Sequence, residues 1–179
     1  MSKTILAVGA HIGDMELTCG ALLAANAVHG GRSVTLALTA GEKGNYNTMT
    51  VSWGMLGELW GKDVVTVFVR PQRYTYEFME KYDNFTLSFF GNEYRRALSF
   101  CGSKSGRDFD KAEECGLTAF ETGESVAFEE AKLIIACRKT AFADMDPSKF
   151  IAPEIEDNYS NGDYHRAYIG EITGVFKKN

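Results

Sequence analysis

An alternation of period two, returning along most of the chain, constrains the fold more than any other feature. In "DVVTVFVR" (63–70), Val65, Val67 and Val69 fall on one side, and Thr66, Phe68 and Arg70 on the other. The pattern recurs in "NFTLSFF" (84–90), "AKLIIACRKTAF" (131–142) and "HRAYIGEITGVFKK" (165–178). Successive side chains of a strand point to opposite faces, so each segment offers one face to a core and one to water. Parallel strands covered on both faces read as continuous apolar runs, so antiparallel sheet or barrel is the natural architecture. Short helices fit between the strands, over "YTYEFMEKY" (74–82), "NEYRRALSFC" (92–101) and "GRDFDKAEEC" (106–115).

The beginning of the chain obeys a different rule. "TILAVGA" (4–10) is an apolar run ending in glycine, as a buried parallel strand would be. Asp14 can cap a helix that continues through Leu17, Ala21, Leu22, Ala24, Ala25 and Val28 until "HGG" (29–31) stops it. "SVTLALTAG" (33–41) returns as a strand, which completes the opening unit of a doubly wound α/β fold. No further strand–helix units follow. Local and global signals agree in a foldable sequence, so the chain reads as a composite: a strand–helix segment over 1–32 and a β-rich domain over 33–179. "SVTLALTAG" can serve as the first barrel strand, followed by a turn over "GEKGNYN" (41–47) and a strand in "TMTVSWG".

Charge narrows the partners. The formal net charge is −5 over 179 residues and no block of lysine and arginine stands out, which argues against nucleic acid or an anionic membrane. No apolar run reaches the length of a bilayer span, and Gly9, His11 and Asp14 come too early for a signal peptide. Cys19, Cys101, Cys115 and Cys137 are far apart with no C-x-x-C pair, so reduced thiols in a cytoplasm are expected rather than a zinc cluster or disulfide framework.

His11 and Asp14 are two metal-ligand types at the carboxyl end of the first strand, where α/β proteins place their sites. The surrounding "ILAVGAHIGDMELTCGALLAANAVHGGRSVTLALTAGEKG" resembles the start of the PIG-L-like zinc deacetylases, whose signature is A-H-P-D-D-x-E. By that resemblance His11 and Asp14 hold ligand positions, but Gly13 stands where the general base belongs, and glycine cannot take a proton from metal-bound water. The family's third ligand, a later histidine, has no counterpart; His29 and His165 lie in other contexts. A polar residue at a strand end is the plainer reading of His11, and a working deacetylase is not expected.

From about Leu38 onward a second resemblance takes over. "TAGEKGNYNTMTVSWGMLGELWGKDVVTVFVRPQRYTYEFMEKYDNFTLSFF", "EYRRALSFCGSKSGRDFDK", "FEEAKLIIACRK" and "NYSNGDYHRAYIGEI" are similar, in that order, to the flavin reductase-like, FMN-binding split-barrel proteins that include flavoredoxin. The resemblance implies a mainly β fold with helices (α+β), a split β-barrel, here preceded by a Rossmann-like strand–helix segment. It also implies FMN as cofactor, NAD(P)H as co-substrate, and a homodimer that builds the flavin site at its interface.

The chemistry of these segments can be read beside the resemblance. FMN needs donors for the pyrimidine edge of its ring, an apolar wall, and cations and hydroxyls for its phosphate. "NTMTVSW" supplies Asn47, Thr48, Met49, Thr50, Ser52 and Trp53, which the resemblance places along the ring; Thr and Trp at alternating positions also serve simply as strand formers. "RPQRYTY" leaves a strand and opens a helix, where an anion is favoured, and offers Arg70, Arg73, Tyr74 and Thr75. "SKSGRD" repeats the logic with Ser103, Lys104, Ser105 and Arg107. Surface ion pairs are the bland alternative for these cations. His165 opens the last strand, and the resemblance places it near the nicotinamide or flavin ring as the catalytic candidate, while Glu171 on that strand serves structure.

Hydride transfer belongs to the cofactor, so no triad or carboxylate pair is required. The leading expectation is an FMN-dependent oxidoreductase passing electrons from NAD(P)H to flavin or another acceptor. A non-catalytic flavin-binding module is the alternative, and a zinc-dependent deacetylase comes third.

Overall fold

The computed structural model describes residues 36–51, 53–123 and 125–177. The strand and helix expected over 4–28, the metal candidates His11 and Asp14, and Ser52 lie outside the described residues.

The described residues begin with the hairpin β1 (Leu36–Glu42) and β2 (Asn45–Val51), then the hairpin β3 (Gly54–Leu59) and β4 (Lys62–Val69). Helix α1 (Tyr74–Lys81) leads to β5 (Asn84–Phe89), and helices α2 (Arg95–Ser103) and α3 (Lys111–Cys115) follow. A small hairpin, β6 (Ala119–Glu121) and β7 (Val126–Phe128), precedes the long strands β8 (Leu133–Asp144) and β9 (Arg166–Lys177). Between those two run 3-10 turns at Pro147–Lys149 and Pro153–Asn158.

Seven of the described strands form one sheet in the order β2-β1-β5-β8-β9-β4-β3, with every neighbouring pair antiparallel. β2 and β3 stand at opposite ends of that order, yet only residues 52 and 53 separate them. Consecutive Cα atoms lie about 3.8 Å apart, so the two strand ends are within about 11 Å of each other and the sheet must be rolled. Register shifts in the β8–β9 pair, between Ala136 and Cys137 and between Lys139 and Ala141, supply the local bends that rolling needs.

The inside of the roll is the core. Leu38, Met49, Val51, Val65, Val67, Val69, Phe85, Leu87, Ile135 and Tyr168 pack together, with Phe78 and Met79 of α1 against them. The alternation read in 63–70 holds: Val65, Val67 and Val69 are buried while Thr66, Phe68 and Arg70 are half-buried. Gly170 is what lets Phe85 occupy the centre, because a Cβ there would meet the phenyl ring at 2.6 Å.

Three local expectations need correction. The helix expected over 106–115 is only α3, because the chain from Gly106 to Phe109 turns first and Asp110 caps the helix through the amides of Ala112 and Glu113, at 3.0 and 3.1 Å. The turn expected over 41–47 shrinks to Lys43–Gly44, since β1 and β2 stay paired out to Glu42 and Asn45. Residues 54–59, given no element of their own in the sequence, form β3, joined to β4 by Trp60–Gly61 with φ of +57° and +68°. Positive φ at both residues matches the twist of the two strands, at the cost of placing a tryptophan in the left-handed region.

Candidate functional site

Three places where the chain leaves regular structure converge. They are the run from Met49 into Trp53 at the end of β2, the turn Arg70–Arg73 between β4 and α1, and the loop Ser103–Ser105 after α2. The segment before β9, with Asn161, Asp163 and His165, closes one side. Between them lie a wide cavity of about 480 Å³ and a narrow one of about 100 Å³, which share Met49, Gln72 and Arg73 and so form one groove.

The narrow end is lined by Arg73, Tyr74, Thr75, Ser103, Lys104, Ser105 and Lys111. Thr75 is fully buried, and its Oγ1 accepts from Asn47 Nδ2 at 2.7 Å. That bond occupies the hydroxyl as an acceptor and leaves its proton for another partner. Gly106 makes it possible, because a Cβ at that position would fall 1.9 Å from Asn47 Oδ1. Arg73 donates through Nη2 to the Gly102 carbonyl, which ties the α1 entrance to the end of α2. Lys111 is buried, and its Nζ donates to the carbonyls of Thr48 and Cys101, each at 2.9 Å. Burial pulls its pKa below the ordinary lysine value. Among the described residues, none of Arg73, Lys104 and Lys111 has a carboxylate within ion-pair distance.

The wide end is apolar and aromatic on one wall, with Met49, Val51, Trp53 and Phe68. His165 stands beside Trp53, ring centroids 4.8 Å apart, and its Nδ1 lies 2.9 Å from the Tyr159 hydroxyl. Burial, helped by the positive charge of Arg70, pushes its pKa down to about 4, so the imidazole is neutral at pH 7. Arg70 pairs with Asp163 Oδ2 at 2.7 Å, donates to the Asn158 carbonyl, and lies over the Tyr159 ring at 5.2 Å. Gln72 donates to the same Asp163 Oδ2. The bond from Arg70 holds the Asp163 carboxyl below its ordinary range. Its other oxygen, Oδ1, is buried with no hydrogen-bond partner among the described residues.

Most of the residues singled out in the sequence meet in this groove: Met49, Thr50, Trp53, Arg70, Arg73 and His165 at the wide end, Tyr74, Thr75, Ser103, Lys104 and Ser105 at the narrow one. Asn47 and Thr48 sit a layer behind it, with the Thr48 hydroxyl bonded to Thr39 at 3.1 Å and to the Leu38 carbonyl at 3.2 Å. Arg107 lines a further cavity of about 400 Å³ between the β1–β2 loop and residues 106–112, which Asn47 and Thr48 also line and which shares Tyr74 and Lys111 with the narrow end; the Arg107 side chain pairs with Glu77 and lies 4.7 Å above the Tyr74 ring. Glu171 serves structure, bridging Lys62 and Arg138 at 2.7 and 2.9 Å.

The sequence did not single out Val51, Phe68, Gln72, Asn161, Asp163 or Lys111. Gln72 lay in plain view between Arg70 and Arg73. Asp163 had a usable signal, standing two residues before His165 on a chain entering a strand, where alternation puts both on one side. Lys111 had none, since a lysine next to a helix cap reads as a solvated charge.

The flavin reductase like domain matches residues 31–178 of the chain. Among solved structures, the chain is similar to an FMN-binding domain of a flavin reductases-like enzyme from Shewanella baltica, with a TM-score of 0.62 and 20% identity over 81% of this chain and 69% of that one. A flavoredoxin from Methanosarcina acetivorans gives a TM-score of 0.65 at 19% identity, covering 82% and 69%. The flavoredoxin of Desulfovibrio vulgaris (Miyazaki F) gives 0.61 at 21%, covering 84% and 75%. A comparison with curated proteins found no match. The rolled antiparallel sheet is thus the fold of these flavin reductase-like structures, and the chain belongs to the flavin reductase like domain family.

Proposed function

We propose that the groove holds FMN and that the protein passes electrons from a reduced nicotinamide, NADH or NADPH, to flavin or another acceptor. The observation that carries this reading is the polarity of the groove along its length. A narrow end with hydroxyls and with cations that have no carboxylate partner among the described residues opens, past Met49, Gln72 and Arg73, into a wide aromatic end. FMN has the same sequence of parts: a dianionic phosphate, a polyol chain and a flat ring.

The residues present fit the cofactor. Arg73, Lys104, Thr75, Ser103 and Ser105 would hold the phosphate, with the amino end of α1 adding its dipole. Val51, Trp53 and Phe68 would wall the ring, and the unpartnered Asp163 Oδ1 offers an acceptor to a ring N–H. The bound flavin supplies the hydride chemistry; the protein's part is orientation and exclusion of water. His165, neutral and fixed by Tyr159, gives the cavity a polar edge without a charge, against which a nicotinamide can rest. A homodimer is supported by the outer edge strand β3 and the turn after it, where Met55 and Trp60 respectively are more than 60% exposed. A reducing cytoplasm suits Cys101, Cys115 and Cys137, which are free thiols.

The test is the visible spectrum of the protein mixed with FMN and desalted, then treated anaerobically with NADH or NADPH. A retained flavin band that bleaches with either nicotinamide is the expected result. Retention without bleaching would favour the non-catalytic flavin-binding module, and no retention would contradict both.

A further inference from the structure

We infer that Cys101 and Cys115 are the two halves of a reversible disulfide, a staple between α2 and α3 that fastens the loop along the narrow end of the groove. The bond itself follows from the position of the thiols; only its effect on flavin release rests on the flavin reading above.

The two sulfurs already touch. Cys101 Sγ and Cys115 Sγ lie 3.9 Å apart, and Cys115 Sγ stands 3.6 Å from the Ala97 carbonyl. Ala97 and Cys101 are neighbours on one face of α2, so Cys115, the last residue of α3, is seated across a single turn of that helix. A disulfide needs about 2.05 Å between sulfurs, so the remaining approach of about 2 Å falls to rotation of the side chains and a small shift of the short helix α3. Cys137 has no sulfur neighbour among the described residues and serves as an internal control.

Burial sets the order of the chemistry. Cys101 is buried and Cys115 only half-buried, so hydrogen peroxide reaches Cys115 first. The Cys115 thiol becomes a sulfenic acid and one water leaves. The Cys101 thiol then attacks that sulfur: the S–S bond forms, the S–O bond breaks, and the hydroxyl departs with the thiol proton as a second water. In all, two thiols lose two electrons and one hydrogen peroxide is reduced to two waters; a dithiol reductant reverses the step. Burial raises both thiols, Cys101 up to about 12, so thiolate is scarce and the bond forms slowly.

The staple closes a ring around residues 102–114, which include Ser103, Lys104 and Ser105 of the narrow end. The carbonyls at its root are already engaged, Cys101 with Lys111 and Gly102 with Arg73. Closing the ring removes freedom from this wall of the empty groove without touching the ligand, and a pre-organised groove releases its ligand more slowly. Filling the α2–α3 contact with two small apolar side chains explains their burial, but it predicts no bond.

The experiment treats the reduced full chain with hydrogen peroxide, blocks the remaining thiols, and digests with trypsin without reductant. Lys104, Arg107 and Lys111 separate the two cysteines, so the bond should appear as peptide 97–104 joined to peptide 112–132. The joined pair should vanish with dithiothreitol and be absent from Cys115→Ser. Free thiols or a sulfinic acid at Cys115, with no joined pair in the wild type, would overturn the staple. In FMN-loaded protein, oxidation should slow flavin release by about threefold or more, dithiothreitol should restore it, and Cys115→Ser should not respond. A joined pair with unchanged release would overturn the effect on the groove. Reduced wild type that takes up no FMN would bring down the flavin reading, while the joined peptide would still decide the staple.

Discussion

Between Trp53 and Tyr159 the imidazole of His165 is 8% exposed, and burial with the nearby Arg70 charge sets its pKa near 4 in place of the ordinary 6.5. Below pH 6.5 the unfolded chain takes up a proton that the folded one refuses, so the equilibrium shifts toward unfolding. The stability that His165 contributes is therefore fully present above pH 6.5 and is lost as pH falls toward 4. Thermal unfolding measured across that window should fall less steeply in His165→Gln than in the wild type; parallel curves would contradict the assignment. Gly106 makes a second prediction. Alanine there collides with Asn47 Oδ1 and forces the amide away from Thr75, an overpacking that costs about 1–3 kcal/mol. Gly106→Ala should lower the unfolding temperature and weaken FMN retention, whereas an unchanged melting curve would mean that Asn47 yields freely. At this scale the sequence was informative where polar residues cluster around a glycine or a helix start, as at Arg73, Thr75 and Ser105. It was silent where a residue's use depends on distant partners: Lys111 bonds carbonyls of residues 48 and 101, and Asp163 meets Arg70.

Among the elements, β4 announced itself because Val65, Val67 and Val69 are buried while the residues between them are only half-buried, which is what a period of two records; β5 alternates in residue type although Phe85–Ser88 are buried on both faces, as are Ile134–Cys137 in the first half of β8. β3 did not announce itself, because all six of its residues are exposed and no burial contrast marks it. Its Met55, Leu56 and Leu59, with the hairpin tip Trp60, form an apolar edge that a second copy can cover. Light scattering should give twice the chain mass for the wild type and the chain mass for Met55→Lys/Trp60→Lys, with unchanged far-ultraviolet circular dichroism. A monomeric wild type at micromolar concentration would contradict the dimer. The overlong helix drawn over 106–115 has a different cause: the residues of 106–109 do not forbid a helix, but Asp110 is the better cap and Gly106 is needed flat against Asn47.

For the whole molecule, antiparallel pairing was readable but strand order was not, since alternation says which face is buried and not which strand lies alongside. The order matters for function. Rolling the sheet brings the exit of β2, the exit of β4 and the entrance of β9 to one place, so residues from Met49 to His165 line a single groove that exists only in the closed fold. The deacetylase-like reading of the first segment concerns residues outside the described structure, and the flavin reductase like match begins at residue 31. The most direct test of the account uses the two tryptophans, Trp53 in the wide cavity and Trp60 at the β3–β4 tip. In Trp60→Phe, all tryptophan emission comes from Trp53, and titration with FMN should quench it saturably at one flavin per chain. Uptake of FMN that leaves Trp53 emission unchanged would place the ring elsewhere and contradict the account.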